Sequence, residues 1–235
     1  MSKIRQAMIL AGGMATRLGK LAESVPKPLL TVAGRPFITY LLDQLSDAGV
    51  SQAILCTGHL SEVIEETLGA RYGDVELVYS KEPFPLGTAG ALRNALSLID
   101  EPALIAMNGD SYVSADLGSF AEWADERNSI LAVHVDETNR YGSITFDDSK
   151  RIVRFDEKSA SAGPGWINGG VYILTRELIA GVEAGKTVSI ERDTFPAAIG
   201  SGIYVWQSDG GFLDIGTPDS LEAAETFFEK LKSTT

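Results

Sequence analysis

Four largely apolar runs recur through the first half of the chain: QAMIL (6–10), QAILCT (52–57), VELVYS (75–80) and ALIAM (103–107). Each is too short for a stable helix and shows no regular wet face, the pattern of strands buried on both sides of a parallel sheet. Between them lie segments with helical spacing: FITYLLDQLSDAG (37–49), stopped by Gly49; SEVIEETLG (61–69), with Ser61 as expected N-cap; and TAGALRNALSLI (88–99). Strands alternating with helices need crossover connections. The chain is therefore expected to be α/β, a three-layer α/β/α sandwich around a mixed, mostly parallel sheet.

The rhythm changes after Ser129. ILAVHV (130–135), SITFD (143–147) and RIVRFDE (151–157) follow closely, with turn signals at YG and DDSK, and suggest antiparallel excursions. WINGGVYILT (166–175) and GIYVWQ (202–207) read as further strands, and TPDSLEAAETFFEKLK (217–232) as a closing helix with Thr217 as N-cap and Pro218 at its first position. No repeat or linker interrupts the 235 residues, so a single domain is expected, with halves at about 1–128 and about 129–235.

A net charge of −12 argues against a nucleic-acid partner, which needs a basic face. It also means that an anionic substrate must be met by a local basic cluster or a bound cation. The lone cysteine, Cys56, excludes an internal disulfide and sits in AILCTG as a small apolar residue. No apolar run approaches the ~18 residues of a membrane span. MSKIRQAMILAGG breaks at its glycines and makes a poor signal peptide, so a cytoplasmic protein with no membrane partner is expected. His59 and His134 have no neighbours that suggest catalysis.

The stretch MILAGGMATRLGKLAESVPKP (8–28) follows the first strand with Gly12 and Gly13, then places Arg17 and Lys27 ten residues apart. At the carboxyl end of a strand, such glycines let the backbone approach an anion. A dinucleotide fingerprint is excluded because Gly12, Gly13 and Gly19 have the wrong spacing and prolines follow. A phosphate-binding loop of the G-x-x-x-x-G-K-[ST] type is excluded because Lys20 precedes Leu21. A glycine-rich turn with a solvated Arg17 remains the plain structural alternative. Elsewhere, ALIAMNGDSY ends a strand on Asp110, and GFLDIGTPDS sets Asp214 among apolar neighbours. A carboxylate there is costly unless it is paired or holds a metal, although an Asp after Asn-Gly is often only a turn residue.

LAGGMATRLGKLAESVPKPLL resembles the signature L-A-G-G-x-G-T-R-L-x(n)-P-K-P-L of the sugar-1-phosphate nucleotidyltransferases. One residue departs from it: Ala15 stands where the family usually has glycine. The resemblance extends from Met8 to about Ser220 and implies a Rossmann-like nucleotidyltransferase fold. The implied reaction is NTP plus sugar 1-phosphate giving NDP-sugar and pyrophosphate. By resemblance, Leu10, Ala11, Gly12 and Gly13 line the triphosphate, Arg17 and Lys27 neutralise it, and Asp110 and Asp214 hold Mg²⁺. SKEPFPLGTAGALRNA (80–95) resembles the base-binding segment, implying nucleotide contacts at Glu82, Gly87 and Thr88. A carboxylate only accepts hydrogen bonds, so Glu82 suits guanine and favours GTP, if it is not simply a cap or solvated.

On the acceptor side, RYGSITFDDSKRIVRFDEKS implies sugar contacts at Gly142 and Glu157, with Lys158 on the 1-phosphate. WINGGVYIL adds Asn168 and Gly169, and Asn108 precedes the metal aspartate. Catalysis would then rest on Arg17, Lys27, Asp110 and Lys158. Among subfamilies, PLGTAGAL, MNGDSY and FLDIGTPDS look most like the heptose-1-phosphate guanylyltransferases. Mannose-1-phosphate guanylyltransferases and N-acetylmuramate-1-phosphate uridylyltransferases are rivals. A non-catalytic sugar-nucleotide sensor is the alternative of another class, and a homodimer stays open.

Overall fold

The structure, a computed structural model, describes residues 4–13, 18–19, 24–157 and 163–234. The first half runs β1 (Gln6–Leu10), the short hairpin β2 (Thr31–Val32) and β3 (Arg35–Pro36), α1 (Ile38–Asp47), β4 (Gln52–Thr57) and α2 (Ser61–Leu68). It continues with β5 (Arg71–Tyr72), β6 (Val75–Lys81), α3 (Gly87–Asn94), β7 (Ala103–Asn108), β8 (Ser111–Val113) and α4 (Leu117–Ala124). Then follow β9 (Ser129–Val135), β10 (Gly142–Phe146), β11 (Ile152–Glu157), β12 (Gly165–Thr175) and α5 (Arg176–Ala180). The chain closes with α6 (Phe195–Ala198), β13 (Tyr204–Ser208), β14 (Phe212–Asp214) and α7 (Pro218–Thr234).

The main sheet runs β11-β10-β12-β7-β1-β4-β6-β5, with β9 on the other edge of β12 and β13 beyond it. β1 pairs in parallel with β4 and β7, and β4 with β6, whereas β7 and β12 are antiparallel. Alternate residues of β1 feed opposite faces. Ala7 and Ile9 pack with Leu41, Phe120 and Phe228 of α1, α4 and α7. Met8 packs with Leu92, Ile179 and Phe195 of α3, α5 and α6. Met8 and Ile9 are both fully buried, each contributing about 1.5–3 kcal/mol of hydrophobic stabilisation. Helices on both faces of a mixed sheet give the expected three layers.

Local readings shifted where tertiary contacts outweighed spacing. Ser61 is the first helical residue, not the cap: Leu60 takes that position at φ 56°. The Ser61 hydroxyl is buried against Thr57 Oγ1 at 3.0 Å. The helix expected over 88–99 ends at Asn94 and gives way to a 3₁₀ turn at Leu96–Leu98. Buried Gln6 fixes that turn, donating to Leu98 O (3.1 Å) and accepting from the amides of Asp100 and Glu101 (2.8 and 3.1 Å). The strands after Ser129 are antiparallel as expected, β9 to β12 and β10 to both β11 and β12, whereas β13 joins β9 in parallel.

Candidate active site

The strands β1 and β7 end side by side, with Gly109 N donating to Leu10 O at 2.9 Å. Their carboxyl ends open into a cavity of about 440 Å³ lined by Leu10, Ala11, Gly12, Gly13, Lys27, Glu82, Gly87, Thr88, Asn108 and Asp110, among others. Gly12 sits in close quarters: a Cβ there would lie 3.1 Å from Gly58 N and 2.5 Å from Glu82 Oε1, displacing that carboxylate. Gly13 meets no such obstacle within 4 Å. Glu82 spends Oε2 on the Leu86 amide (2.9 Å), and Oε1 has no hydrogen bond among the described residues. Burial raises its carboxyl above the ordinary value, against the lowering effect of the Leu86 bond.

The glycines of PLGTAGA have a cause that sequence reading missed. A strap from the second half lies on the start of α3: Val188 O accepts from the amides of Ala89 (3.0 Å) and Gly90 (3.2 Å) and caps the helix in trans. Val188 N returns a bond to Leu86 O at 2.8 Å. A Cβ on Gly87 would meet Val188 O at 2.6 Å, and one on Gly90 would meet Lys186 O at 2.7 Å. The Thr88 hydroxyl donates to Glu191 Oε2 (2.9 Å) and accepts from the Ile190 amide (2.7 Å), so its oxygen is engaged within the protein.

Lys27 is held between two prolines in a 3₁₀ turn, Lys27–Leu29, closed by Leu29 N to Pro26 O at 2.8 Å. Its side chain is only 9% exposed, and its ammonium meets Asp110 Oδ2 at 2.5 Å. A buried cation needs such a partner. Asp110 and Asp214 arrive together because β8 and β14 pair antiparallel, Ser111 opposite Asp214, while Ile215 N donates to Asp110 O at 2.9 Å. Asp214 Oδ1 accepts from Gly216 N (2.9 Å) and Ser220 Oγ (3.3 Å); Oδ2 accepts from the Tyr141 hydroxyl (3.1 Å), with the Arg140 guanidinium 3.8 Å away. Burial and then the Asp214 charge raise the Tyr141 hydroxyl.

These two carboxylates offer hard oxygen donors on neighbouring strand ends, and among the described residues no group of three or more His, Cys, Asp or Glu side chains could hold a metal ion. A divalent cation at Asp110 and Asp214 would therefore complete its shell from phosphate and water, which suits Mg²⁺.

A second cavity, about 470 Å³, shares Lys27, Gly87, Thr88, Asn108 and Asp110 with the first. Gly142, Asn168 and Asp214 line it as well; Gly169 does not, and Gly170 does. β12 changes register between Asn168 and Tyr172. Gly170 stands there at φ 75°, where a Cβ would lie 2.5 Å from Ser111 Oγ. Asn168 Nδ2 donates to the Tyr172 hydroxyl at 2.8 Å. Beside Asp110, Asn108 Oδ1 and Ser111 Oγ are buried with no hydrogen-bond partner. Such atoms cost about 1–3 kcal/mol each unless a ligand or water satisfies them.

Arg17, Lys158 and Ala15 lie outside the described residues, as does the side chain of Glu157; the Glu157 backbone pairs with Gly142. Sequence reading missed Arg140, Tyr141, Thr187, Ser189 and Glu191 in the second cavity. Tyr141 could have been found beside Gly142 in RYG; the polar run TVSIERD carried no spacing that separates a site from a wet loop.

Two cavities joined over a lysine–aspartate pair at parallel strand ends define a nucleotide-handling α/β protein. The chain belongs to the nucleotidyl transferase family, whose model matches residues 6–230. It is 34% identical over 224 residues to D-glycero-alpha-D-manno-heptose 1-phosphate guanylyltransferase of Aneurinibacillus thermoaerophilus, covering 94% of this chain and 96% of that one. It is 33% identical to mannose-1-phosphate guanylyltransferase of Mycobacterium tuberculosis, covering 92% of this chain but only 62% of that relative's length. Among solved structures, HddC from Yersinia pseudotuberculosis complexed with GMP-PN superimposes with a TM-score of 0.84 at 31% identity, covering 96% of this chain and all (100%) of the other. No helix among the described residues is long and apolar enough to cross a membrane.

Proposed function

We propose that the chain transfers the GMP group of GTP to a sugar 1-phosphate, with a heptose 1-phosphate as favoured acceptor and mannose 1-phosphate as the rival. The observation that carries this reading is the shared wall: two adjoining cavities, which we assign to the nucleotide and to the sugar phosphate, both open on Lys27 and Asp110. The names of the two relatives support guanine and these acceptors. The free oxygen of Glu82 suits the paired N–H donors of a guanine edge.

In the reaction, an oxygen of the sugar phosphate forms a bond to the α-phosphorus of GTP while the bond to pyrophosphate breaks. The attacking phosphate is already anionic, so no covalent enzyme nucleophile is needed; positioning and charge neutralisation supply the catalysis. Lys27, with Arg17 by resemblance, neutralises charge on the departing pyrophosphate. Lys158, by resemblance, holds the attacking phosphate. Asp110 and Asp214 would hold Mg²⁺, which when bound neutralises phosphate oxygens and orients them.

The test is pyrophosphate release across a grid of nucleoside triphosphates and sugar 1-phosphates, with Mg²⁺ and with chelator. Activity with GTP and a heptose or mannose 1-phosphate, lost on chelation, is expected. A preference for UTP or dTTP would overturn the guanine assignment. Silence across the grid would sink the enzyme reading.

A further inference from the structure

The strap that caps α3 also carries a carboxylate into the acceptor cavity. Glu191 lines that cavity and is half-buried there. Both hydrogen bonds it receives, from Thr88 Oγ1 and Ser189 Oγ at 2.9 Å each, go to Oε2. Oε1 has no hydrogen bond among the described residues. The carboxylate is thus fixed through one oxygen with the other left unused, on the acceptor cavity's own wall and tied to Thr88 of the shared one. Its charge is felt by Tyr172, whose hydroxyl is raised by burial first and by Glu191 next.

A carboxylate repels a phosphate and only accepts hydrogen bonds. Of the groups a sugar 1-phosphate brings, hydroxyls are what remain for it. We propose that Glu191 is a specificity-determining residue of the acceptor site, receiving a sugar hydroxyl on Oε1 while Thr88 and Ser189 hold Oε2. Repulsion between Glu191 and the phosphate would also fix which way round the acceptor lies. This rests on the sugar 1-phosphate reading above. It also gives Thr88 a purpose: its hydroxyl positions Glu191 from the nucleotide side.

The test compares wild type, Glu191→Ala, Glu191→Gln, Thr88→Val and Thr88→Ser, using GTP and whichever of heptose or mannose 1-phosphate the wild type turns over. Losing a hydrogen bond to a charged acceptor should raise the acceptor KM about tenfold or more in Glu191→Ala. Glu191→Gln keeps an acceptor oxygen and guards against misfolding; a smaller rise is expected. Thr88→Val should raise the same KM, and Thr88→Ser should restore it. The affinity of Glu191→Ala for GTP alone, by calorimetry, should stay within about twofold. Among monodeoxy acceptors, one should be used equally by wild type and Glu191→Ala, identifying the hydroxyl that is read. An unchanged acceptor KM in Glu191→Ala, equal weakening of GTP, or the same penalty with every deoxy analogue would overturn the proposal. A wild type that releases no pyrophosphate would strike the reading beneath it instead.

Discussion

The two cavities that meet at Lys27 are built in different ways. The nucleotide-side cavity is lined by Gly12, Gly13, Gly87 and Gly109 at the ends of β1 and β7 and the start of α3, beside Lys27, Glu82 and Asp110. The acceptor-side cavity is walled by side chains from β12, the turn before β10, the strap over 186–193 and β14, among them Arg140, Tyr141, Asn168, Glu191 and Asp214. Where a glycine packs against backbone, as Gly87 does, there is no room for added atoms, whereas a wall of side chains can be respecified one residue at a time. Mutations on the first should therefore act through volume, and mutations on the second through chemistry.

The largest effect is expected where the walls coincide. Asp110→Asn should cut turnover by about a hundredfold or more, because it removes the negative charge that would hold a divalent cation on the reacting phosphates. Circular dichroism should show an intact fold, since the amide oxygen can still accept from Lys27. Pyrophosphate release near the wild-type rate would remove Asp110 from the proposed metal site.

Glycine substitutions sharpen the volume argument. Gly87→Ala puts a methyl 2.6 Å from Val188 O at φ 71° and should cost about 1–3 kcal/mol of stability. Gly13→Ala meets nothing within 4 Å and should change stability by less than about 0.5 kcal/mol. Urea unfolding of the two variants decides it. Equal losses would mean that the strap does not set the requirement at Gly87.

Glu82→Gln is expected to act more gently and with a definite pH dependence. The folded carboxyl lies above its ordinary 4.5, chiefly through burial. Its favourable contribution is fully present below 4.5 and lost as pH rises through the raised value. The variant escapes that loss, so its melting temperature relative to wild type should climb from pH 4.5 toward neutrality. A difference flat with pH would show that burial does not penalise the charged form. The smallest effect concerns Cys56, which is buried with its thiol pushed up to about 12. It should resist alkylation in the native state at pH 8 and react only after unfolding.

Much of the first wall was legible in the sequence. Its residues sit in short runs (10–13, 27–28, 82–91 and 108–110) where a strand end, a glycine and a cation lie close along the chain. The acceptor wall was less so. Thr88 and Glu191 are 103 residues apart, and nothing periodic in SIERD foretells the contact. Asp214 stood out among apolar neighbours and Asn168 was named through the resemblance of WINGGVYIL; Arg140 and Glu191 sit in polar surroundings and carried neither signal.

The sequence by itself determined the layered α/β fold and the glycine loop, because period-two and period-3.6 burial and backbone permissiveness are local properties. Only the tertiary structure decided that Lys27 would be neutralised by Asp110, that β14 would bring Asp214 beside it, and that Val188 would occupy the space at Gly87. Those pairings join residues remote along the chain, and their energy exists only once the sheet has closed the distance and excluded the water between them.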